Sequence, residues 1–130
     1  EQDCFSDNTH YSHFYDAKGI RNVYLGEYLR ADGTKMTGPS LSSLVVVVDP
    51  AADATLKSDL ADTEAKIQVM VDRAAKGEHY DQLIAAGNES GNQVVRDAIA
   101  ALVKQTGAIE QAAGKLGISD LNPDNADHDF

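Results

Sequence analysis

The chain of 130 residues carries 21 acidic and 11 basic residues, so its formal net charge is −10 at pH 7. An acidic surface repels nucleic acids and anionic membranes, and we therefore expect neither as a partner. The longest aliphatic run, LVVVV at Leu44 to Val48, is far shorter than the roughly 20 apolar residues that cross a bilayer, so no transmembrane segment is predicted.

The first predicted element is a helix that begins near Ser6 or Asp7. Either residue can cap it, because a short side-chain oxygen accepts hydrogen bonds from the free N–H groups of a first turn. The segment RADGTKMTGPS follows this helix and contains turn signals at Asp32-Gly33 and at Gly38-Pro39. Its sequence is compatible with a hairpin of two short strands but does not decide whether the hairpin forms. Apolar residues at helical spacing predict the buried stripe of the helix: Phe14, Ala17, Ile20, Tyr24 and Tyr28.

Ser40 is predicted to cap a short helix over LSSLVVVV. The valines alone would suit a strand, and the length of the run does not decide between helix and strand. A long helix follows, with Asp49 as its cap and Pro50 in its first turn, where the missing N–H of proline is harmless. Gly77 ends this region. The predicted core residues of the long helix are Leu56, Leu60, Ile67, Met70 and Val71.

After a short helical turn around residues 81–86, a last helix is predicted from about Asn92 to Leu116. The fold class is therefore all-α: a bundle of about three main helices plus a short one. We assign residues 1–121 to this helical domain and residues 122–130 to a polar tail. The predicted core stripe of the last helix is Val95, Ile99, Leu102, Val103, Ile109 and Leu116.

The segment CFSDNTHYSHFYD, residues 4–16, holds the chemistry-bearing side chains. His10, His13 and Asp16 are spaced i, i+3, i+6, so successive members are neighbours on a helix, while the first and last are about 120° apart. Imidazole and carboxylate groups suit iron or zinc, but only two of the three can readily share one ion. The alternative is a solvated helix face whose polar residues are mainly a crowded cap.

Catalytic motifs are scarce. The chain contains no Walker loop, no CxxC, no GxSxG and no HExxH, and the single cysteine, Cys4, allows no internal disulfide. Cys4 is either a small hydrophobic residue or a thiol whose partner lies on another chain or segment. The residues by themselves therefore give little support for catalysis.

Three stretches together resemble the C-terminal half of imelysin-like proteins: CFSDNTHYSHFYDAKGIRNVYLGEY, DGTKMTGPSLSSLV and VDPAAD. This bacterial family includes the insulin-cleaving metalloproteinase and iron-regulated envelope proteins. The resemblance extends from about Cys4 to Leu121.

The resemblance implies an all-helical protein of the periplasm or cell envelope, in its mature form without a signal peptide, that is linked to iron uptake. In the family, two bundle-like halves enclose a site at their interface. The partner implied is an N-terminal half or a second copy of this chain. The residues that the resemblance places at the site are Ser6, Asp7, Asn8, Thr9, His10, Asn22, Tyr24 and Ser40.

The family is also classed among the M75 peptidases because of a GxHxxE motif in its N-terminal half. No His-x-x-Glu occurs in this chain, and His13-Phe14-Tyr15-Asp16 is the nearest substitute. The chain is then a fragment, a processed half or a shortened relative. Three functions remain open: a binding protein for a metal or an iron-related ligand, one half of a metallopeptidase, and a helical interaction module.

Overall fold

The computed structural model describes residues 3–119 and 121. In this part of the chain, three long helices, two short ones and a small hairpin form a helical bundle, which confirms the predicted all-α class. The predicted tail, residues 122–130, lies outside the described residues. The elements are α1 (Thr9–Leu25), β1 (Glu27–Leu29), β2 (Lys35–Thr37), α2 (Leu41–Val48), α3 (Pro50–Ala74), α4 (Tyr80–Leu83) and α5 (Glu89–Lys115).

Helix α1 begins one or two residues later than predicted. Asn8, not Ser6 or Asp7, is its N-cap, and the Asn8 carbonyl accepts from the N–H groups of Tyr11 and Ser12 at 3.0 and 3.2 Å. Asp7 cannot cap the helix because its backbone has a φ of 53°, which places it in the turn before α1.

The predicted stripe of α1 is correct in part. Phe14, Ala17 and Tyr24 are buried, whereas Ile20 is 42% exposed. Tyr28 is no longer helical, because Gly26 ends α1 in the left-handed conformation (φ 62°) and Tyr28 lies in β1. The residues that follow Gly26 are thereby directed into the hairpin.

The hairpin that the sequence left open is formed, with Tyr28 opposite Met36 in the antiparallel register. Its turn lies at the predicted Asp32-Gly33 signal, where Asp32 Oδ1 accepts from the N–H of Thr34 at 2.8 Å. The base of the hairpin closes on Gly26. A Cβ atom at this position would lie 2.7 Å from the Pro39 carbonyl oxygen, so only glycine fits there.

Helices α2 and α3 form as predicted. Ser40 Oγ accepts from the N–H of Ser43 at 3.0 Å, and Asp49 Oδ1 accepts from the first two free N–H groups of α3. Because α2 is helical, only Val45 of the valine run is buried, and Val47 is 80% exposed. All five predicted core residues of α3 are buried: Leu56, Leu60, Ile67, Met70 and Val71.

Helix α5 begins at Glu89, three residues earlier than predicted, with Asn88 as its cap. The predicted core stripe is wrong at Ile99 and Val103, which are 54% and 69% exposed. Small side chains form the buried face instead, since they let α5 approach its neighbours closely, and the larger predicted residues only flank that face. The buried residues are Gly91, Ala98, Ala101, Gln105, Ala108 and Ala112.

The apolar core consists of two clusters. One surrounds Phe14 and Ile67, and the other surrounds Tyr24 and Leu56. Along α3, buried Thr63 lies between the members of the two clusters, and its hydroxyl has no hydrogen-bond partner among the described residues. Along α5, buried Gln105 likewise lies between the residues of the two clusters. A polar layer thus separates the two apolar clusters.

Candidate functional site

The polar segment before α1 folds back onto the first turn of the helix. The Asp3 N–H donates to Thr9 Oγ1 at 3.1 Å, and the Ser6 hydroxyl donates to the Asp3 carbonyl at 3.3 Å. The Ser12 hydroxyl donates to the Asp3 carboxylate. Ser6, Asp7 and Asn8 are exposed, whereas Thr9 is fully buried. Ser6, Asp7 and Asn8 therefore form an exposed polar surface, which we call the rim. The buried residues beneath it, beginning with Thr9, are called the floor.

His10 belongs to that buried floor. It is 5% exposed, and its buried Nδ1 has no hydrogen-bond partner in the described part of the chain. Its ring contacts the ring of Tyr11 at 4.8 Å and, edge to face, that of His79 at 5.7 Å, both measured between ring centroids. A buried polar atom without a partner is costly, and where it persists it calls for an explanation in function or in a bound group.

His79, immediately before α4, connects this floor to the rim. Its Nδ1 lies 2.9 Å from Asp7 Oδ2, close enough for an ion pair, although the two groups are not aligned as a hydrogen bond. Burial lowers the pKa of His10, the nearby charge of His79 lowers it further, and Asp7 opposes both. At pH 7 the His10 imidazole is therefore neutral and keeps a free lone pair.

The other two predicted metal ligands face different surroundings. His13 is half-buried and packs against the ring of Tyr80, with 5.5 Å between centroids. Asp16 is exposed and lines a shallow groove with Asn8, Ser12 and other α1 residues. Residues 3–119 and 121 contain no group of three His, Cys, Asp or Glu side chains that could hold a metal ion as they stand. The joint assignment of His10, His13 and Asp16 to one ion stays a prediction.

Three of the residues implied by the resemblance lie near the opposite end of α1 from His10. Thr9 and Tyr24 are 15 residues apart on one helix, which corresponds to about 22 Å. Asn22 lines a cavity of about 670 Å³ between α1 and the hairpin, and Ser40 caps α2. The structure thus divides the implied set into two groups, one around His10 and one around the end of α1.

Tyr24 lies in a buried polar network that has its own structural role. Its hydroxyl donates to Asp53 Oδ1 at 2.9 Å, and the Lys57 ammonium lies 2.7 Å from Asp53 Oδ2. Burial raises the pKa of Tyr24 strongly, and the bond to Asp53 raises it further. Tyr24 is therefore a permanent donor that connects α1 to α3.

An apolar groove of about 490 Å³ opens beside Tyr24, between α1, α2, α3 and α5. Ile20, Val23 and Leu41 line it, and all three are at least partly exposed. Exposed Leu44 and Val47 follow Leu41 at intervals of three residues along α2, which places them on neighbouring positions of that helix. We call these five residues the apolar face. Tyr24 and Val45, which also line this groove, are buried.

Comparison with known protein families assigns the chain to one of them. The sequence model of the imelysin family, peptidase family M75, matches residues 1–109 and so includes everything from the polar rim through most of α5. The chain belongs to the imelysin family. No curated protein sequence matches it. No helix in the described residues is long and apolar enough to cross a membrane.

Sequence reasoning missed His79. His79 lies 69 positions from His10 and outside α1, which contains the three predicted metal ligands. No spacing rule connects the two histidines. The signal available was only its residue type in a loop that follows the Gly77 helix stop. Cys4, the other residue left open, is exposed.

Proposed function

We propose that this chain is the C-terminal half of an imelysin-type protein of the bacterial envelope, and that it binds a metal ion or an iron-related ligand without performing catalysis itself. The observation that carries the proposal is the buried Nδ1 of His10, without a partner among the described residues, below the exposed rim of Ser6, Asp7 and Asn8. A neutral imidazole and a carboxylate are ligands for iron and zinc.

The absence of His-x-x-Glu from the sequence favours binding over catalysis. The family is classed as peptidases because of the GxHxxE motif, and a metallopeptidase needs both metal ligands and a general base. The second candidate, one half of an M75-type metallopeptidase, therefore requires that another chain or segment supply that motif. His10 and the rim would then form only one wall of the active site.

The apolar face supports a partner. Val23 lines the apolar groove and is 69% exposed, and Val47, which is 80% exposed, follows Leu41 at helical spacing on α2. Contiguous apolar surface on a soluble protein usually marks an interface. We propose the N-terminal half of an imelysin fold as the partner, with a second copy of this chain as the alternative. A purely structural interaction module would use the same face without any ligand at His10.

The decisive experiment titrates the full chain with Fe²⁺ or Zn²⁺, alone and with an imelysin N-terminal half, and assays peptide cleavage in parallel. Binding that is lost in His10→Ala and retained in the hairpin control Asp32→Asn supports the proposal. Metal-dependent cleavage that is lost in His10→Ala favours the metallopeptidase half. Stable association with neither binding nor cleavage leaves the interaction module.

A second measurement tests the partner. Val23→Asp with Val47→Asp should weaken association with the N-terminal half, because both changes place charge on the apolar face. The matched control is Ile99→Asp with Val103→Asp on α5, which adds the same charge to exposed residues outside that face. Sedimentation at micromolar concentration distinguishes a monomer near 13.9 kDa from an assembly. A monomer with no affinity for the N-terminal half contradicts this part of the proposal.

A further inference from the structure

The cavity of about 670 Å³ between α1 and the hairpin, which we call the hairpin cleft, has the size of a small-molecule site. Its walls carry large apolar side chains that the fold leaves exposed. Tyr28 and Met36 lie opposite each other in the hairpin, and Tyr15 lies on α1. All three are exposed, and all three line the cleft. Apolar side chains that converge on one concave surface usually mark a binding site.

A glycine in the middle of α1 keeps the floor of the cleft open. Gly19 lines the cleft, and a Cβ atom at this position would have no atom within 4 Å. Glycine is a poor helix former, and its φ here is not positive, so the backbone of α1 does not require it. A larger side chain would meet no other described part of the chain and would project into the cleft. The space above Gly19 is therefore available to a ligand.

The Lys18 ammonium gives the described lining of the cleft a positive charge. Among the described residues it makes no ion pair, and it lies over the rings of Phe14 and Tyr15, at 5.4 and 6.0 Å from their centroids. Glu27, the acidic residue in the described lining, pairs instead with Lys35 at 2.5 Å, and this hydrogen bond lowers the pKa of the Glu27 carboxyl. The Glu27 charge is thus compensated, whereas the Lys18 charge is not.

We propose that the hairpin cleft binds a ligand that carries one carboxylate on an apolar body such as an aromatic ring. The carboxylate pairs with Lys18 and accepts from the side-chain amide of Asn22, which makes no hydrogen bond within the described residues. Lys18 and Asn22 are neighbours on α1, at positions i and i+4. The apolar body lies over Gly19 against Tyr28 and Met36. One ammonium compensates one carboxylate, whereas the acidic chain would repel a multiply charged anion.

The walls of the cleft are fixed relative to each other in the protein itself. The Gly38 N–H donates to the Gly26 carbonyl at 2.8 Å, which closes the base of the hairpin at the end of α1. The same base packs so closely that a Cβ atom at Gly26 would lie 2.7 Å from the Pro39 carbonyl oxygen. A preformed site loses less conformational entropy when its ligand binds.

The experiment is a ¹H–¹⁵N NMR titration of the full chain with two carboxylates and their amides. The carboxylates are phenylpropionate and a blocked dipeptide that ends in phenylalanine. We expect a carboxylate at millimolar concentration to shift the backbone signals of Gly19 and Tyr28. Its amide should bind at least about fivefold more weakly, because the charge-assisted hydrogen bond is lost. A response to phenylpropionate assigns the cleft to small carboxylates, and a response to the dipeptide alone assigns it to peptide carboxyl termini.

Two variants test whether the ligand lies in the cleft. Lys18→Gln should weaken carboxylate binding about fivefold or more, whereas Lys76→Gln, which removes an exposed charge elsewhere, should leave it unchanged. Gly19→Leu fills the cleft and should abolish binding. Its control is Gly107→Leu on α5, where the new Cβ also has no atom within 4 Å. Both glycine substitutions favour helix formation, so neither should lower the melting temperature.

The proposal is overturned if neither carboxylate shifts the signals, if acid and amide bind equally, or if Gly19→Leu binds as the unchanged chain does. None of these results bears on the proposed function. Asn22 lies 12 residues from His10 along α1, which corresponds to about 18 Å, so the hairpin cleft is separate from the site at His10. The inference therefore goes beyond the proposed function and does not depend on it.

Discussion

The hydroxyl group of Tyr24 on α1 donates a hydrogen bond to the Asp53 carboxylate on α3 at 2.9 Å, and both residues are buried. Tyr24→Phe removes the donor but keeps the ring, so a buried carboxylate oxygen loses one partner. We expect the free energy of unfolding to fall by about 1–3 kcal/mol. Urea denaturation measures the change.

The matched control for that variant is Tyr28→Phe. Tyr28 is 59% exposed in the hairpin, so loss of its hydroxyl should change stability by less than about 0.5 kcal/mol. Equal effects of the two substitutions would show that the buried hydrogen bond does not stabilise the contact between α1 and α3.

The same carboxylate predicts a pH dependence. Burial by itself raises the pKa of Asp53, but hydrogen bonds from Lys57, Ser42 and Tyr24 outweigh it, so the pKa lies below its ordinary value of 3.8. The unfolded state therefore binds a proton first as the pH falls, and the stabilisation present above pH 3.8 is lost as the pH falls through the folded-state pKa. In Asp53→Asn this contribution is absent.

Thermal or urea unfolding of both proteins between pH 6 and pH 3 tests this expectation. The wild-type chain should lose more stability than Asp53→Asn in the acidic part of that range, so the difference between the two free energies of unfolding should narrow as the pH falls. Parallel curves would contradict the assignment of a lowered pKa to Asp53.

Gly26 should be the glycine least tolerant of substitution in the hairpin region. In Gly26→Ala the new Cβ meets the Pro39 carbonyl oxygen at 2.7 Å, in addition to the strain of a positive φ. Gly33→Ala has the same strain (φ 83°) but no atom within 4 Å of the new Cβ. We expect Gly33→Ala to cost about 1 kcal/mol and Gly26→Ala clearly more, measured by urea denaturation. Equal costs would mean that the base of the hairpin relaxes freely.

The valine run offers a test of which face of α2 packs. Val45 is 1% exposed and Val47 is 80% exposed, yet both lie in the same short helix. Val45→Ala should lower the free energy of unfolding by about 1.5–3 kcal/mol, because it removes buried methyl groups and leaves a cavity. Val47→Ala changes only helix propensity, so the free energy of unfolding of this variant should stay the same or rise slightly. A reversed order would mean that α2 packs with its other face.

Local signals predicted the middle of the fold well. Ser40 and Asp49 cap α2 and α3 as expected, because a cap depends on a side chain and on N–H groups two or three positions away. The core residues of α3 were also correct, since large aliphatic residues on that helix lie almost only on one face. Both predictions use information contained within a single element.

The failures involve information from more than one element. Ile99 and Val103 of α5 were assigned to the core from the helical spacing of apolar residues, whereas close packing of the helices buries the alanine face instead. The contact between the rings of His10 and His79 forms because the segment before α4 lies against the start of α1. No periodicity in the sequence predicts that contact. Ser6 or Asp7 was predicted as the cap from residue type, and residue type does not indicate the positive φ that Asp7 has in the turn before α1.

The polar layer of Thr63 and Gln105 has a consequence for how the protein tolerates change. The cluster around Phe14 and Ile67 lies near the His10 end of the bundle. The cluster around Tyr24 and Leu56 lies near the Gly26 end, so each end is stabilised by its own apolar cluster. Local opening can then occur at one end while the other stays closed. Substitutions near His10 can therefore accumulate during evolution without disturbing the hairpin and the groove beside it.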